Sequence, residues 1–155
     1  MKVIDSEIPE ILQALADAPK RIEKAALRVD KKRLHARSAK EPWSPNDILA
    51  HIRSCADVWG GSMEKMLQED HPKLGYIHPR QWVKRTNYLE LDFETSFKAY
   101  KNQRKKLLDV LKKLLLKDWA RGAIIQEREH TIFTQARRMA MHDSVHCEQI
   151  ESLLQ

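Results

Sequence analysis

The stretch WSPNDILAHIRSCADVWGGSMEKMLQ, residues 43–68, contains the clearest helix start in the chain. Ser44 can cap a helix, Pro45 suits its first position, and Asp47 places a carboxylate near the positive end of the helix dipole. The apolar residues that follow recur at intervals of three and four. They are Ile48, Ile52, Cys55, Trp59, Met63, Met66 and Leu67. The stretch therefore predicts a long amphipathic helix, with His51 beside its buried stripe and facing inward.

A first helix is predicted upstream of this stretch. It begins near Asp5 or Ser6, either of which can act as an N-cap. Its apolar residues also recur at intervals of three and four, from Ile8 to Val29. Pro19 lies inside this pattern and lacks the backbone N–H that a continuous helix needs, so we expect the helix to be kinked or split there.

Two more helices are predicted in the second half of the chain. One begins at Asp92 and runs to about Leu116, and the other is capped by Thr131 or Thr134. The apolar side of this last helix is formed by Phe133, Ala136, Met139, Ala140, Val145, Ile150, Leu153 and Leu154. Four helices are therefore expected in all.

The composition agrees with an all-helical protein. The chain has 155 residues, which fits one domain spanning 1–155, and it contains only four glycines. Lys and Arg outnumber Asp and Glu by 28 to 22, and the resulting charge of +6 mildly favours anionic partners. No apolar run has the length of a membrane span, and the N-terminal residues lack the apolar core of a signal peptide. We therefore expect a soluble cytoplasmic protein with no membrane partner.

The connection between the second and third helices limits how the helices can be arranged. It extends from Asp70 to Leu91 and contains Pro72, Gly75 and Pro79. A loop of roughly 20 residues is unusual in a compact domain unless it crosses over or carries function. A crossover allows helices two and three to run in the same direction. We therefore predict an all-α four-helix bundle with up-down-down-up topology.

Three histidines are the candidate metal ligands. His51 lies in the second helix, and His142 and His146 form an HxxxH pair on one face of the fourth. At about 1.5 Å per residue, His51 lies roughly 10 Å from the start of its helix, and the pair lies roughly 12 and 18 Å from the end of the fourth. In the predicted topology these two ends share one pole of the bundle. We therefore expect the three imidazoles to converge on one divalent metal ion.

Two motifs and one longer segment resemble the DinB/YfiT-like superfamily. WSPNDILAH (43–51) is similar to the Trp-Ser and following helical His of that family, and HDSVHCEQI (142–150) is similar to its C-terminal HxxxHxxQI signature. Residues 97–122 resemble its third helix and the segment after it. The resemblance implies an up-down-down-up four-helix bundle, a zinc or nickel ion held by the three histidines, and a homodimer. Family activities include thiol-dependent transferases and isomerases, so the resemblance identifies the site better than the reaction.

The chemistry of such a site follows from its ligands. Three neutral imidazoles leave at least one coordination position open. Zinc there can lower the pKa of bound water toward about 7, or it can bind and activate a thiolate. Zinc and nickel are the expected ions, although imidazole also accommodates other divalent metals.

Three residues near the histidines have alternative interpretations. Cys55 is either a ligand or reactive thiol or a small apolar filler, and packing is favoured because buried free cysteines are usually inert. Cys147 projects about 100° away from His146 and is not expected to be a ligand. Asp47 either accepts a hydrogen bond from His51 or only caps the helix.

The roles of other polar and aromatic residues are less restricted. Gln149 is placed to approach either the site or a dimer surface, and Asp143 is expected to face elsewhere. Arg104 is a candidate clamp for an anionic substrate group inside the bundle, although this role is not favoured, and the surrounding charges of KNQRKK (101–106) are expected to form a solvated face. Trp43 and Trp59 are expected to anchor packing. The remaining histidines are expected on the surface or in loops, and they are His35, His71, His78 and His130.

Three classes of function remain open. A metal-dependent enzyme is favoured, either a hydrolase or a transferase that joins a low-molecular-weight thiol to a small-molecule substrate, although no catalytic acid or base stands out. The second class is a non-catalytic stress-response metal-binding protein, which a fourth protein ligand would favour. The third is nucleic-acid binding through the basic third helix, but no reading motif accompanies those residues and solvation is favoured. A homodimer is expected because two-fold dimers are the commonest oligomers.

Overall fold

A computed structural model describes residues 2–39 and 41–155, which form a mostly helical protein built on a four-helix bundle. The long helices are α1 Ile8–Ala26, α3 Pro45–Gln68, α5 Phe93–Leu111 and α7 Ile132–Leu153. Three helices of four residues lie in the connections, namely α2 Lys31–Leu34, α4 Pro79–Trp82 and α6 Leu116–Trp119. Helices α1 and α3 each contact both α5 and α7, so the four long helices enclose one interior. No helix in the two described ranges is long and apolar enough to cross a membrane.

The start of α3 is the one predicted from the sequence. The Ser44 hydroxyl accepts a hydrogen bond from the backbone N–H of Asp47 at 3.0 Å, and the Asp47 carboxylate accepts one from the backbone N–H of Ser44, also at 3.0 Å. This reciprocal capping box satisfies two helix-end donors. It fixes the start of α3 and therefore the height of His51 in the bundle.

Two other helix limits differ from the predictions. Helix α1 continues through Pro19 from Ile8 to Ala26, so of the expected kink or split the split does not occur. Helix α5 ends at Leu111 rather than near Leu116. There the backbone tightens into three-residue turns, because Leu114 N–H donates to the carbonyl of Leu111.

The N-terminal cap of α7 is Thr131, whose hydroxyl accepts a hydrogen bond from the backbone N–H of Thr134 at 3.1 Å. The predicted burial of Val145 is wrong, because its side chain is 61% exposed. At about 100° per residue Val145 lies roughly 200° from Asp143, which is fully buried, so the two residues occupy opposite faces.

The prediction of a purely helical protein needs a correction, because a small sheet closes one end of the bundle. Its strands are β1 Lys73–Leu74, β2 Gly122–Ile125 and β3 Arg128–Thr131, with β1 parallel to β2 and β2 antiparallel to β3. Gln126 and Glu127 form the hairpin turn with φ of 50° and 63°. Two-residue hairpin turns with positive φ usually carry Asn or Gly, so these residues gave no turn signal.

The connection between α3 and α5, here called the crossover segment, spans residues 69–92 and packs against α3. It contains β1, α4 and two short 3-10 turns, Val83–Arg85 and Tyr88–Glu90. Asp57 of α3 accepts hydrogen bonds from Trp82 Nε1 at 2.9 Å, from the Tyr88 hydroxyl at 2.6 Å and from Gln103 Nε2 at 2.8 Å. One carboxylate therefore ties the crossover segment to both α3 and α5.

Candidate metal centre

Three imidazoles meet inside the bundle. His51 lies on α3 and is 7% exposed, and His142 and His146 lie one turn apart on α7. The Nε2 atom of His142 is 3.2 Å from the Nε2 of His51 and 3.2 Å from the Nε2 of His146. One nitrogen from each ring lies within 4.8 Å of the other two. The structure thus brings together all three residues that the sequence singled out.

These spacings fit a bound divalent ion. Tetrahedral ligands at the usual Zn–N distance of about 2.0–2.1 Å are separated by roughly 3.3–3.4 Å from one another. The two Nε2–Nε2 separations of 3.2 Å are close to that value. The donor set, all imidazole nitrogen, suits zinc and nickel.

His146 is held in the orientation that such a site needs. Its Nδ1 donates to Gln149 Oε1 at 2.9 Å, and Gln149 Nε2 in turn donates to Glu41 Oε2 at 2.6 Å. A proton on Nδ1 leaves the lone pair of Nε2 directed at the cluster, as in most metal-binding histidines. Of the two roles left open for Gln149, the structure favours the approach to the site.

His142 is next to a buried charged group. Its Nδ1 is buried, makes no hydrogen bond with any described residue, and lies 3.9 Å from Asp143 Oδ1, which is equally without a partner. Asp143 Oδ2 accepts from Arg104 at 2.5 Å and from the Tyr100 hydroxyl at 2.8 Å. Asp143 therefore faces the centre of the bundle, beside the candidate site.

Arg104 is not available to bind a substrate. It is 2% exposed, and besides its bond to Asp143 it donates to the backbone carbonyl of Leu15 at 3.0 Å. The candidate role as an anion clamp is therefore wrong, because the guanidinium is already bound inside the protein. The surrounding lysines are exposed, whereas the guanidinium is inside the bundle.

His51 and His146 are neutral at neutral pH, which is the form that binds metal. Burial lowers the pKa of His51 to about 3, and the charges of His146, His142 and Arg80 act in the same direction. Burial also lowers the pKa of His146, although the hydrogen bond with Gln149 partly opposes this effect.

Two tryptophans contact the histidines. The Trp43 ring centroid is 5.1 Å from that of His51 and 6.4 Å from that of His146. The Trp59 ring meets His142 edge to face with centroids 5.0 Å apart. The packing role expected for both residues is thus exercised on the imidazoles themselves.

The two cysteines and Asp47 are not arranged as ligands. The sulfur of Cys55 is 3.6 Å from His51 Nε2, but it is not part of the group of ligand atoms that lie within 4.8 Å of one another. The thiol of Cys147 points to the carbonyl of Ala18, away from the cluster. Asp47 completes the capping box and accepts from Arg37 at 2.9 Å, so capping rather than orientation of His51 explains it.

The other four histidines have separate partners. His35 accepts from the backbone N–H of Phe93, His71 contacts Glu129, His78 accepts from the backbone N–H of Arg80, and His130 contacts Gln135. None of them belongs to the three-histidine cluster.

A cavity of about 320 Å³ reaches His51 from outside the bundle. It is lined by Arg37, Trp43, Asp47, His51, Arg80, Val83, Lys84 and Leu89. A volume near 300 Å³ is at the small end of the range for ligand pockets. Arg80 and Lys84 could not be singled out from the sequence, because their place in this wall depends on how the crossover segment folds back onto α3.

Comparisons with known proteins support the same fold. A family model described as the DinB superfamily matches residues 14–150. Among solved structures, the chain is similar to YfiT from Bacillus subtilis, described as "a probable metal-dependent hydrolase with an unusual four-helix bundle topology". The TM-score is 0.84 at 14% identity, covering 98% of this chain and 88% of that one. The comparison with curated proteins gave no match.

Proposed function

Since the chain belongs to the DinB superfamily, we propose that it binds a divalent metal ion through His51, His142 and His146 and hydrolyses a small-molecule substrate beside that ion. The observation that carries this proposal is the convergence of the three Nε2 atoms, two pairs of which are 3.2 Å apart. The description of YfiT as a probable metal-dependent hydrolase supports the reaction class.

The residues around the histidines suit this role. An ion held there supplies Lewis acidity and lowers the pKa of a coordinated water. Gln149 and Glu41 orient His146, and Trp43 covers the rings of His51 and His146. The cavity next to His51 has room for a small molecule beside one of the three candidate ligands.

The ion is proposed to be zinc or nickel, with one coordination position open to substrate. The position of Cys55 supports an open position, because its sulfur is not part of the group of ligand atoms that lie within 4.8 Å of one another. An open position is the feature that distinguishes a catalytic zinc site from a closed structural one. Transfer of a low-molecular-weight thiol is a second candidate activity, since the positive charges of Arg80 and Lys84 at the cavity favour an anionic cosubstrate.

We further propose that the four long helices follow the up-down-down-up order. Contacts at matching heights support it. Arg137 donates to Glu7 and Arg21 donates to Glu151, which aligns α1 with α7. Gln103 donates to Asp57 and Arg53 donates to Ser96, which aligns α5 with α3.

A homodimer is also proposed. Met141 and Val145 lie one turn apart on α7 and are 56% and 61% exposed, which is high for apolar residues and supports contact with a second copy. A monomer mass in size-exclusion chromatography at micromolar concentration would overturn this part of the proposal.

Metal analysis tests the site. Protein purified without chelators should contain about one divalent ion per chain, and His142→Ala should lower metal affinity at least a hundredfold because a direct ligand is lost. His71→Ala is the matched control, because His71 lies outside the cluster and its imidazole contacts Glu129. Stoichiometric metal in a variant lacking all three clustered histidines would place the site elsewhere.

A screen of esters and amides, with and without thiols, then separates hydrolysis from transfer.

A further inference from the structure

The cavity beside His51 has an excess of positive charge. Three cationic side chains, Arg37, Arg80 and Lys84, line it together with one carboxylate, Asp47. Asp47 is already engaged, because it accepts from Arg37 and from the backbone N–H of Ser44. The wall therefore retains two positive charges that no carboxylate on it neutralises.

Arg80 and Lys84 are the two cations left over. Both are exposed, and neither forms an ion pair with any residue in the described ranges. They lie four residues apart, in α4 and in the 3-10 turn that follows it, and they line the same cavity. Side chains at this spacing in helical backbone lie on the same side, so the two can act on one ligand group.

Trp43 links Arg80 to the histidines. The guanidinium carbon of Arg80 is 5.3 Å from the centroid of the Trp43 ring, which is a cation–π arrangement. The same ring is 5.1 Å from His51. The Trp43 indole therefore lies between the Arg80 cation and the candidate metal site.

The remaining wall is apolar. Val83 and Leu89 line the cavity together with the face of Trp43. A ligand that fills about 320 Å³ between these groups combines a compact apolar part with one anionic group. Arg suits carboxylate and phosphate oxygens because its planar fork can donate two parallel hydrogen bonds.

We infer that the substrate is a small organic oxyanion, a carboxylate or a phosphate ester, whose anionic group is bound by Arg80 and Lys84 while its apolar part lies on Trp43. This inference rests on the proposed function, since the three-histidine site at the other end of Trp43 is what would act on the bound molecule. Arg80 and Lys84 determine specificity and are not metal ligands.

Binding of matched aromatic probes tests the inference. Benzoate and phenyl phosphate carry the two candidate anionic groups, and benzamide has the shape of benzoate without its charge. Titrations followed by the NMR signals of the tryptophan indoles, on metal-free and zinc-loaded protein, should give benzoate a Kd at least tenfold below that of benzamide. The tighter of the two anions identifies the carboxylate or the phosphate as the natural group.

Variants of Arg80 and Lys84 then test whether these residues cause the preference for benzoate over benzamide. The double variant Arg80→Gln/Lys84→Gln should weaken benzoate binding about tenfold or more and leave benzamide binding unchanged. Lys84→Gln and Arg85→Gln form a matched pair, because each removes one positive charge from the same 3-10 turn and only Lys84 lines the cavity. A loss of affinity in Arg85→Gln equal to that in Lys84→Gln, or equal binding of benzoate and benzamide, would overturn the inference.

Metal retention and benzoate binding test the proposed metal site and the proposed anion-binding residues separately. A protein that retains one ion per chain but binds benzoate equally well with and without Arg80 and Lys84 would overturn this inference and leave the proposed function intact. A protein that retains no ion, yet loses benzoate binding in the double variant, would overturn the proposed function alone.

Discussion

Two ion pairs in this protein show how differently a fold treats charge at its centre and at the rim of a cavity. Arg104 and Asp143 lie between the helices with side chains 2% and 0% exposed. Arg37 and Asp47 lie at the cavity rim, where the guanidinium is 69% exposed and the carboxylate 10%. At the centre each charge has its counterpart, whereas the rim carries more cations than carboxylates. The surplus at the rim is what makes a charged ligand possible there.

The central pair is ionised because its groups compensate one another. Burial by itself raises the pKa of the Asp143 carboxyl, but the charge of Arg104 and hydrogen bonds from Arg104 and Tyr100 outweigh burial and lower it. An ionised carboxylate then remains 3.9 Å from His142 without contacting it. Removing either partner would leave the other buried without compensation.

The largest effect is expected from breaking the central pair. Arg104→Met should lower the free energy of unfolding by about 3–5 kcal/mol, because it leaves the Asp143 carboxylate buried without its cation. Urea denaturation measures this change. The double variant Arg104→Met/Asp143→Leu should lose less than the sum of the two single variants. A loss below about 1 kcal/mol in Arg104→Met would show that water reaches Asp143.

A smaller loss of unfolding free energy is expected from substitutions of Asp47 at the cavity rim. Comparing two substitutions there distinguishes the contribution of helix capping from that of the ion pair with Arg37. Asp47→Ala removes both the capping-box acceptor and the partner of Arg37, and should cost about 1 kcal/mol in urea denaturation. Asp47→Asn retains an oxygen that can accept from the backbone N–H of Ser44. It should therefore retain most of the stability that Asp47→Ala loses. Equal losses in the two variants would assign the stability to the ion pair instead.

The smallest effect concerns pH. Burial raises the pKa of Asp47, but hydrogen bonds from Arg37 and Ser44 outweigh burial and bring it below its ordinary value of 3.8. A folded-state pKa below the unfolded value stabilises the protein above the unfolded pKa, and this stability is lost as pH falls through the folded pKa. The difference in unfolding free energy between wild type and Asp47→Asn should therefore be constant above about pH 5 and shrink below pH 4. A difference that persists at pH 2.5 would contradict ionisation of Asp47 as its source.

The parts of the structure predicted correctly from the sequence depend on local signals. Ser44 and Asp47 define a helix start within four residues, and the HxxxH spacing places His142 and His146 on one face whatever the tertiary fold. The meeting with His51 required one further step, a crossover inferred from the length of the connection between α3 and α5.

What the sequence did not reveal depends on contacts between distant residues. Arg104 and Asp143 are 39 positions apart and meet only after α5 and α7 pack together. The hairpin of β2 and β3 turns at Gln126 and Glu127, which are not typical residues for positive φ. The basic wall of the cavity depends on the fold of the crossover segment, whose local sequence contains no regular periodicity.

The hydrogen bonds of Asp57 have a consequence for changing the specificity of this protein. The histidines lie on α3 and α7, whereas Arg80, Val83, Lys84 and Leu89 all lie in the crossover segment. That segment is tied to the bundle by Trp82 and Tyr88, which donate to Asp57. The candidate metal ligands thus lie on the bundle helices, whereas most of the proposed substrate-binding residues lie in the crossover segment. A designer can vary the cavity-facing residues of the crossover segment while keeping Trp82 and Tyr88, and so select for new substrates without altering a single candidate metal ligand.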